Sequence, residues 1–516
     1  MGVSMVKDAV KNAVKDLEQI ERNQEAKKQA RKRPKKLLWG DDLKRVLQEA
    51  KREELERINE QLETEGSKKK VNALSIPQTI KILRRYIEFC IFDDMEGARL
   101  AMYQPDKGIY TQNTTIIERV LNYIEYGAKS ARFTEIIKAL AREVPIRPKT
   151  IDKDLITVKN GVVDLKKMKL LPFSHKYVFD TTIATAYNPN IKEPNIDGWT
   201  PSQWLDDLAC GNEQIKLLLL QVIADAVNGN YSRRKAILLY GNGSNGKGTF
   251  QALIENIVGL QNCANLKINQ FGERFALSQL IGKTVVIGDD LGAGIYIDDS
   301  GAFNSVITND AVLIEFKGQQ MFSTRLYCTV IQSTNEMPKM RNRSDGTYRR
   351  LIIAPFNAKF QGDGDNWKIK DEYINRDDVK EWFLYQALQL DFDKFIEPDI
   401  SKDLLEQYKQ ENDPVADFKA NVFDELVASG MSQFPSKQLY EIFCNYCDQQ
   451  NYKKWTANKF NKQLQELIGD RWTRKKGRHY PEFIGRWELL EEMELTDGVY
   501  MPKVNSTKDM WIFGVN

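Results

Sequence analysis

The sequence predicts an α/β core set between an N-terminal α+β domain and a smaller basic domain at the C-terminal end. Three observations predict it. A strand pattern, a Gly-rich loop and a helical pattern follow one another from 235 to 258, and further strand patterns continue to 356. Ahead of that block, helical patterns lead into strands. Behind it, charged helices give way to a basic, aromatic stretch.

Composition bounds the answer. The chain has 516 residues, 42% of them hydrophobic and 28% charged, enough apolar material for buried cores. Lys plus Arg is 75 and Asp plus Glu is 72, so the net charge is only +3. That balance excludes a uniformly basic coat protein and confines any nucleic-acid affinity to local patches. Six cysteines exclude a disulfide scaffold and fit a reducing compartment. Two histidines, His175 and His479, leave little for His-based metal sites or triads. The opening MGVSMVKDAV is charged too early for a secretory signal. The longest apolar stretch, Leu217 to Val227, is too short to span a bilayer. The expectation is a soluble, cytoplasmic protein with no membrane partner.

Residues 1–70 read as a charged helical arm. Val6, Val10, Val14 and Leu17 share a helical face, and Leu43, Leu47, Leu55, Ile58 and Leu62 do so less strictly. The arm holds 19 Lys/Arg against 14 Asp/Glu, and its densest run is Lys27 to Lys36. It reads as a solvated arm or as a segment that binds a nucleic-acid backbone. Gly66 to Lys70 marks a linker. Residues 75–200 form the α+β domain, with Asn160-Gly161 as a turn between apolar runs. Helices are expected at 201–230, within a core running to 370. A helical connector follows at 371–410, and the last domain spans 411–516.

The phosphate-binding signal is KAILLYGNGSNGKGTFQALIENIVG. An apolar strand, Lys235 to Tyr240, runs into the loop Gly241, Asn242, Gly243, Ser244, Asn245, Gly246, Lys247, Gly248, Thr249, and a helix follows. Glycines let backbone N–H groups turn inward, the helix start adds partial positive charge, and Lys247 supplies a full one. Gly248 sits where a metal-binding hydroxyl belongs. Either Thr249 takes over that task, or water and acidic residues hold the metal.

Forty-two residues beyond Lys247, an apolar strand ends in Asp289-Asp290. Carboxylates there can hold Mg²⁺ and orient an attacking water. A third strand, Leu326 to Ile331, is crowned by Ser333-Thr334-Asn335, and Asn335 can bond a phosphate or that water. Arg349 and Arg350 precede a fourth strand; an arginine there can stabilise phosphoryl-transfer charge, usually from a neighbouring subunit.

Order and spacing now carry a resemblance. GNGSNGKGTF, VVIGDD, STNEMP and SDGTYRRLIIAPF, with VKNGVVDL ahead of them, resemble superfamily 3 DNA helicases, in particular the phage and plasmid primase-associated, poxvirus-like branch. The resemblance covers roughly 85–370. It implies an AAA+-like core in a ring, usually a hexamer, that uses ATP and Mg²⁺ to translocate on one DNA strand. Lys247 is then the Walker A lysine, Asp289 and Asp290 supply the Walker B acid, Asn335 is sensor 1, and Arg350 or Arg349 is the finger. It also implies a hairpin in VLIEFKGQQMF that carries Lys317 into the DNA channel.

Residues 451–480 hold 9 Lys/Arg against 2 Asp/Glu. Thr456 caps a helix in which Phe460, Leu464 and Leu467 share one face, while Lys454, Lys459 and Lys462 lie elsewhere. RWTRKKGRHY and FIGRWEL then read as a basic hairpin with Lys475 to Arg478, including Lys476, as the wing tip and Arg474 as a further DNA-binding candidate. Helix plus basic hairpin suggests a winged helix-turn-helix that binds DNA. Cys444 and Cys447 form a lone pair on a helix and read as core residues.

The expected function is an ATP-dependent helicase and replication initiator of a phage, plasmid or genomic island in a bacterial host. Its partners would be DNA, further copies of itself, and a separate primase or replisome proteins. The alternatives are an ATP-switched protein that melts an origin without processive unwinding, and a helicase-primase.

Overall fold

The structure is a computed structural model. It describes residues 37–513 except 96, 292–295, 298–299, 319–320, 341–344, 362–365, 451, 453, 478–482, 484, 501–502 and 504–506. The Val6–Leu17 face, the Lys27–Lys36 run, Arg478 and His479 lie outside the described residues.

Helix formation near the N-terminal end follows the apolar spacing. Leu43, Leu47 and Ala50 recur at i, i+4 and i+7 of the helix Gly40–Thr64, and all three are buried. They meet Leu83, Leu121, Ile124 and Leu140 from the helices Ile76–Tyr86, Thr114–Ile124 and Ser130–Glu143. This corrects the expectation of an arm up to residue 70. The helix Gly40–Thr64 belongs to the N-terminal core, because Leu43, Leu47 and Ala50 are buried within it. An antiparallel meander, Phe89–Ile91, Leu100–Gln104 and Ile109–Thr111, completes this unit.

A second meander joins Leu155–Val158, Gly161–Asp164 and Lys169–Leu171. Its turn is Lys159-Asn160, one residue earlier than the Asn-Gly signal, since Gly161 already pairs with Val158. Asn160 ties the turn to Tyr187, donating to its carbonyl at 3.0 Å and accepting from its N–H at 2.9 Å. Ile156, Val158 and Val163 pack into the core of the next unit, not into the N-terminal one.

The central sheet contains β1 (Ala236–Tyr240), β2 (Cys263–Asn265), β3 (Val285–Leu291), β4 (Thr329–Thr334) and β5 (Leu351–Pro355). Their order is β5-β1-β4-β3-β2, and every pairing is parallel. A parallel sheet must be covered on both faces, and alternation along each strand supplies two apolar faces. Ile237, Leu239, Ile287 and Ile331 face the helices Glu213–Ala226, Lys247–Val258 and Asp377–Leu388. Leu238, Val286, Val330 and Ile353 face Phe303, Tyr348 and Tyr408.

A buried ionic link holds β4 at its start. Asp225 pairs with Arg233 at 2.9 Å and accepts the Thr329 hydroxyl at 2.6 Å. The Arg233 guanidinium also stacks 3.9 Å from the Phe392 ring centroid.

The last unit has β6 (Gln433–Pro435), the helices Ser436–Gln449 and Ala457–Ile468, β7 (Trp472–Gly477) and β8 (Lys508–Phe513). Strand order is β6-β8-β7, antiparallel throughout. The Thr456 hydroxyl accepts from Lys459 N–H at 3.4 Å. Cys447 is buried and Cys444 half-buried in this core. The expected hairpin is corrected. The partner of β7 is β8, some thirty residues on, with Lys475 opposite Met510 and Lys476 opposite Asp509. Residues Trp487–Glu492 of the FIGRWEL region form a helix instead, because Trp487 and Leu490 are buried against Phe483 and the core. Lys475 and Lys476 therefore lie within a strand and not at a hairpin tip.

Leu47→Ala should expose the difference between a packed helix and a solvated arm. A cost of about 2–5 kcal/mol is expected for a fully buried leucine. Hydrogen exchange across 76–143 should speed up accordingly, whereas Lys44→Ala should leave it unchanged.

Candidate nucleotide and DNA sites

The loop between β1 and the helix Lys247–Val258 is shaped by close approaches. A Cβ on Gly241 would lie 2.3 Å from the Phe356 carbonyl oxygen, so no side chain fits there. Gly246 has φ +84, and a Cβ on it would meet Leu208 at 2.3 Å. Asn245 is buried, and its amide donates to Phe356 O at 2.9 Å. Asn242, Gly243 and Ser244 form the exposed crest of the loop.

Lys247 is buried. Its ammonium donates to the Gly241 carbonyl, to Asn245 Oδ1 at 3.2 Å and to Asn335 Oδ1 at 3.1 Å. Asn335 stands just beyond β4. Two residues earlier, the Ser333 hydroxyl donates to Asp289 Oδ1 at 2.7 Å on β3. The end of β4 thus bonds the loop lysine through Asn335 on one side and the acidic end of β3 through Ser333 on the other. Gly288 makes room for the buried Gln332 amide, which a Cβ there would meet at 2.1 Å. Of the Asp289-Asp290 pair, only the Asp289 side chain is among the described residues. Ser333, which the sequence offers only as part of the strand's polar crown, is the residue that fixes Asp289, whereas Gln332 on the other strand face accepts from Ile268 N–H and donates to Leu266 O.

No group of three His, Cys, Asp or Glu side chains forms a metal cage among the described residues. Mg²⁺ is commonly held by one or two carboxylates together with substrate phosphates, so Asp289 beside the loop is a donor set that fits. Gly248 offers no hydroxyl. Thr249 is half-buried one step further along the helix, and one step turns a side chain by about 100° away from the direction of residue 248.

Arg349 and Arg350 lie elsewhere. Leu351 pairs with Ala236 and Pro355 with Tyr240, so the arginines sit at the opposite end of the sheet from the loop. Five strand residues separate the two ends, about 16 Å. Arg349 is exposed, and its carbonyl accepts from Lys235 at 2.8 Å. Arg350 is half-buried and donates to Gly346 O within its own chain; burial pulls its pKa down.

Lys317 is exposed in the connection between the antiparallel strands Ala311–Ile314 and Phe322–Arg325. The neighbouring Phe316 stacks on Phe322 and lies under the Arg99 guanidinium, 5.3 Å away, so this hairpin leans on the N-terminal unit. In the C-terminal unit Lys462, Arg474, Lys475 and Lys476 are exposed. Lys459 rests 3.6 Å above the Trp455 ring, and Lys454 pairs with Asp448 at 2.5 Å. Among the described residues no helix is long and apolar enough to cross a membrane.

Comparison with known families follows these units. Residues 5–209 match the family described as D5 N terminal like, and 410–493 match Poxvirus D5 protein-like. Residues 239–350, from the phosphate loop to the arginine pair, match a family of unknown function, DUF5906. A protein of Invertebrate iridescent virus 3 named "Putative helicase 121R" is 22% identical over 217 residues. Two of the three family matches are to D5-type families, so the chain carries D5-like regions on both sides of the phosphate loop. The match to the viral protein takes in 40% of this D5-like chain but only 23% of the viral protein's length. Two solved structures of the NrS-1 C terminal region are similar at 12% and 13% identity, with TM-scores of 0.44 and 0.45. They cover 86% and 84% of this chain, and the similarity takes in 100% and 98% of theirs.

The close approaches at the loop are open to test. Gly241→Ala should abolish binding of a fluorescent nucleoside triphosphate while circular dichroism stays unchanged. Gly272→Ala, with nothing within 4 Å of its added Cβ, should bind as the parent does.

Proposed function

We propose that this D5-like chain is an ATP-hydrolysing DNA helicase and replication initiator of a phage, plasmid or genomic island. It would work as a ring, of hexamer size, in the cytoplasm of a bacterial host. The observation that carries the reading is the 3.1 Å bond from Lys247 to Asn335. It puts a phosphate-binding cation and a water-orienting amide at the same end of adjacent strands.

In this reading the triphosphate lies against the loop N–H groups and the start of the helix Lys247–Val258. Lys247 turns from the Gly241 carbonyl to the β- and γ-phosphates. Asn335 holds the attacking water or a γ-phosphate oxygen. Asp289, fixed by Ser333, would hold Mg²⁺, with Asp290 as the second carboxylate of that reading. When bound, Mg²⁺ would offset the negative charge of the phosphates. The transition-state cation has to come from another copy, since Arg349 and Arg350 lie about 16 Å from the loop of their own chain. Arg349 is the better finger because it is exposed, whereas Arg350 is engaged within its own fold.

Lys317 would meet single-stranded DNA from the hairpin. The C-terminal order of helix, β6, two helices, β7 and β8 supports a winged-helix reading, with the helix Ala457–Ile468 as the recognition element. Lys454, Lys459, Lys462, Arg474, Lys475 and Lys476 would then contact duplex phosphates at an origin. Gly248 favours a second reading, an ATP-switched melting protein that does not unwind processively.

Strand displacement on a forked duplex separates the two. ATP-dependent displacement that Lys247→Ala abolishes is expected; ATP-dependent binding with no displacement would favour the switch. Arg349→Ala should lose ATPase, keep ATP binding, and regain activity when mixed with Lys247→Ala subunits. Arg350→Ala should instead lower thermal stability. For DNA, replacing Arg474 and Lys476 by Ala should flatten the log affinity against log salt slope by about 0.9 per lost phosphate contact.

A further inference from the structure

The chain beyond β5 wraps the phosphate loop. Phe356 accepts from Asn245, and Phe360 N–H donates to Ser244 O at 2.9 Å. The Phe360 ring would lie 3.2 Å from a Cβ on Gly246. The chain then enters the helix Lys368–Asp371 and the turn Tyr373–Asn375, where Tyr373 and Ile374 are buried. Asn256, on the loop helix, donates to Asn375 Oδ1 at 2.7 Å and to Ile374 O at 3.3 Å. Asn375 in turn donates to Asp371 O at 2.7 Å. This short helix is therefore fastened to the helix that follows the phosphate loop.

The fastening has a chemical consequence. A Cβ on Gly248 would lie 3.9 Å from the Lys370 ammonium. Residue 248 is the position that a metal-binding hydroxyl takes in the phosphate-loop pattern. Here that position has no side chain, and a cation from another element stands beside it. The same ammonium acts on Glu255 of the loop helix. Burial and Asp289 push the Glu255 carboxyl up, and Lys370 draws it back down. Lys370 thus faces the region shared by the loop helix and the acidic end of β3.

We infer that Lys370 is a phosphate-binding residue, supplying positive charge to the triphosphate at the place Gly248 leaves open. The inference rests on the nucleotide-site reading above. An ammonium is a compact charge with three donors, and it adds to the partial charge of the helix start. A serine at 248 would bring its hydroxyl into hydrogen-bond range of that ammonium, so hydroxyl and lysine are alternative occupants of one space. A site charged by a lysine should hold a triphosphate with less help from a divalent ion.

The test is ATP binding by titration calorimetry on the full chain, in EDTA and in Mg²⁺. Wild type should bind in both, and Lys247→Ala in neither. Lys370→Met should weaken binding in EDTA by about tenfold or more, the loss of one charged hydrogen bond. Lys370→Arg should keep most of the affinity. Adding Gly248→Ser to Lys370→Met should recover binding in Mg²⁺ but not in EDTA. Lys370→Met binding like wild type in EDTA, with Lys247→Ala still defective, would overturn this inference alone. Binding that is absent in wild type, or unaffected by Lys247→Ala, would overturn the nucleotide site and the inference with it.

Discussion

The position of β4 between β1 and β3 is the constraint on which the loop edge of the sheet depends. A phosphate loop and an acidic strand on adjacent strands would leave no place for a third polar group between them. Here β4 supplies that group, and both of its ends are fixed. At its start, Thr329 bonds the buried Asp225, which Arg233 neutralises. At its finish, Ser333 bonds Asp289, and Asn335 bonds Lys247. A buried carboxylate left unpaired is costly, so the Asp225–Arg233 pair is an anchor that resists local slippage of the strand. Anchoring one end makes the polar tip at the other end reproducible. Because β4 also continues from the hairpin that carries Lys317, a shift at one end of the strand has a direct mechanical route to the other.

Much of this was legible in the sequence, for a definable reason. Phosphate cradles are local: the strand, the glycines and Lys247 lie within about a dozen residues, so their chemistry is written consecutively. Asp289 and Asn335 were readable as polar residues at the ends of apolar strands. Packing between distant segments was not readable. The helix Gly40–Thr64 reads as solvated because most of its residues are charged, yet Leu43, Leu47 and Ala50 commit one face to the core. The basic stretch after Trp472 had hairpin character, but its true partner, Lys508–Phe513, lies beyond an inserted helix. A hairpin signal depends on a short turn, and a connection of thirty residues carries none.

Lys370 belongs to the same class of hidden feature. Nothing in its neighbourhood, WKIKDEYIN, announces a phosphate ligand. Its placement depends on Asn256 and Asn375, which lie more than a hundred residues apart and meet only in the fold. The departure at Gly248 was visible as a missing hydroxyl. What stands near the missing group is set by the bonds that fasten the segment 368–375 to the loop helix.

The arginine pair shows how sheet direction limits a mechanism. In a parallel sheet, residues preceding a strand and residues following its neighbour are necessarily at opposite ends. Arg349 precedes β5 and Lys247 follows β1, so side-chain motion within one chain cannot close the gap of about 16 Å. If an arginine takes part in hydrolysis, a second copy must deliver it, and the exposed Arg349 is the one free to reach outward. Such a copy would have to offer its β5 entry edge to the loop edge of its neighbour. That contact joins two different surfaces of the same chain, and contacts of this head-to-tail kind close only as rings or continue as filaments. Were hydrolysis to use that arginine, its dependence on assembly would follow from strand direction and from which arginine is exposed.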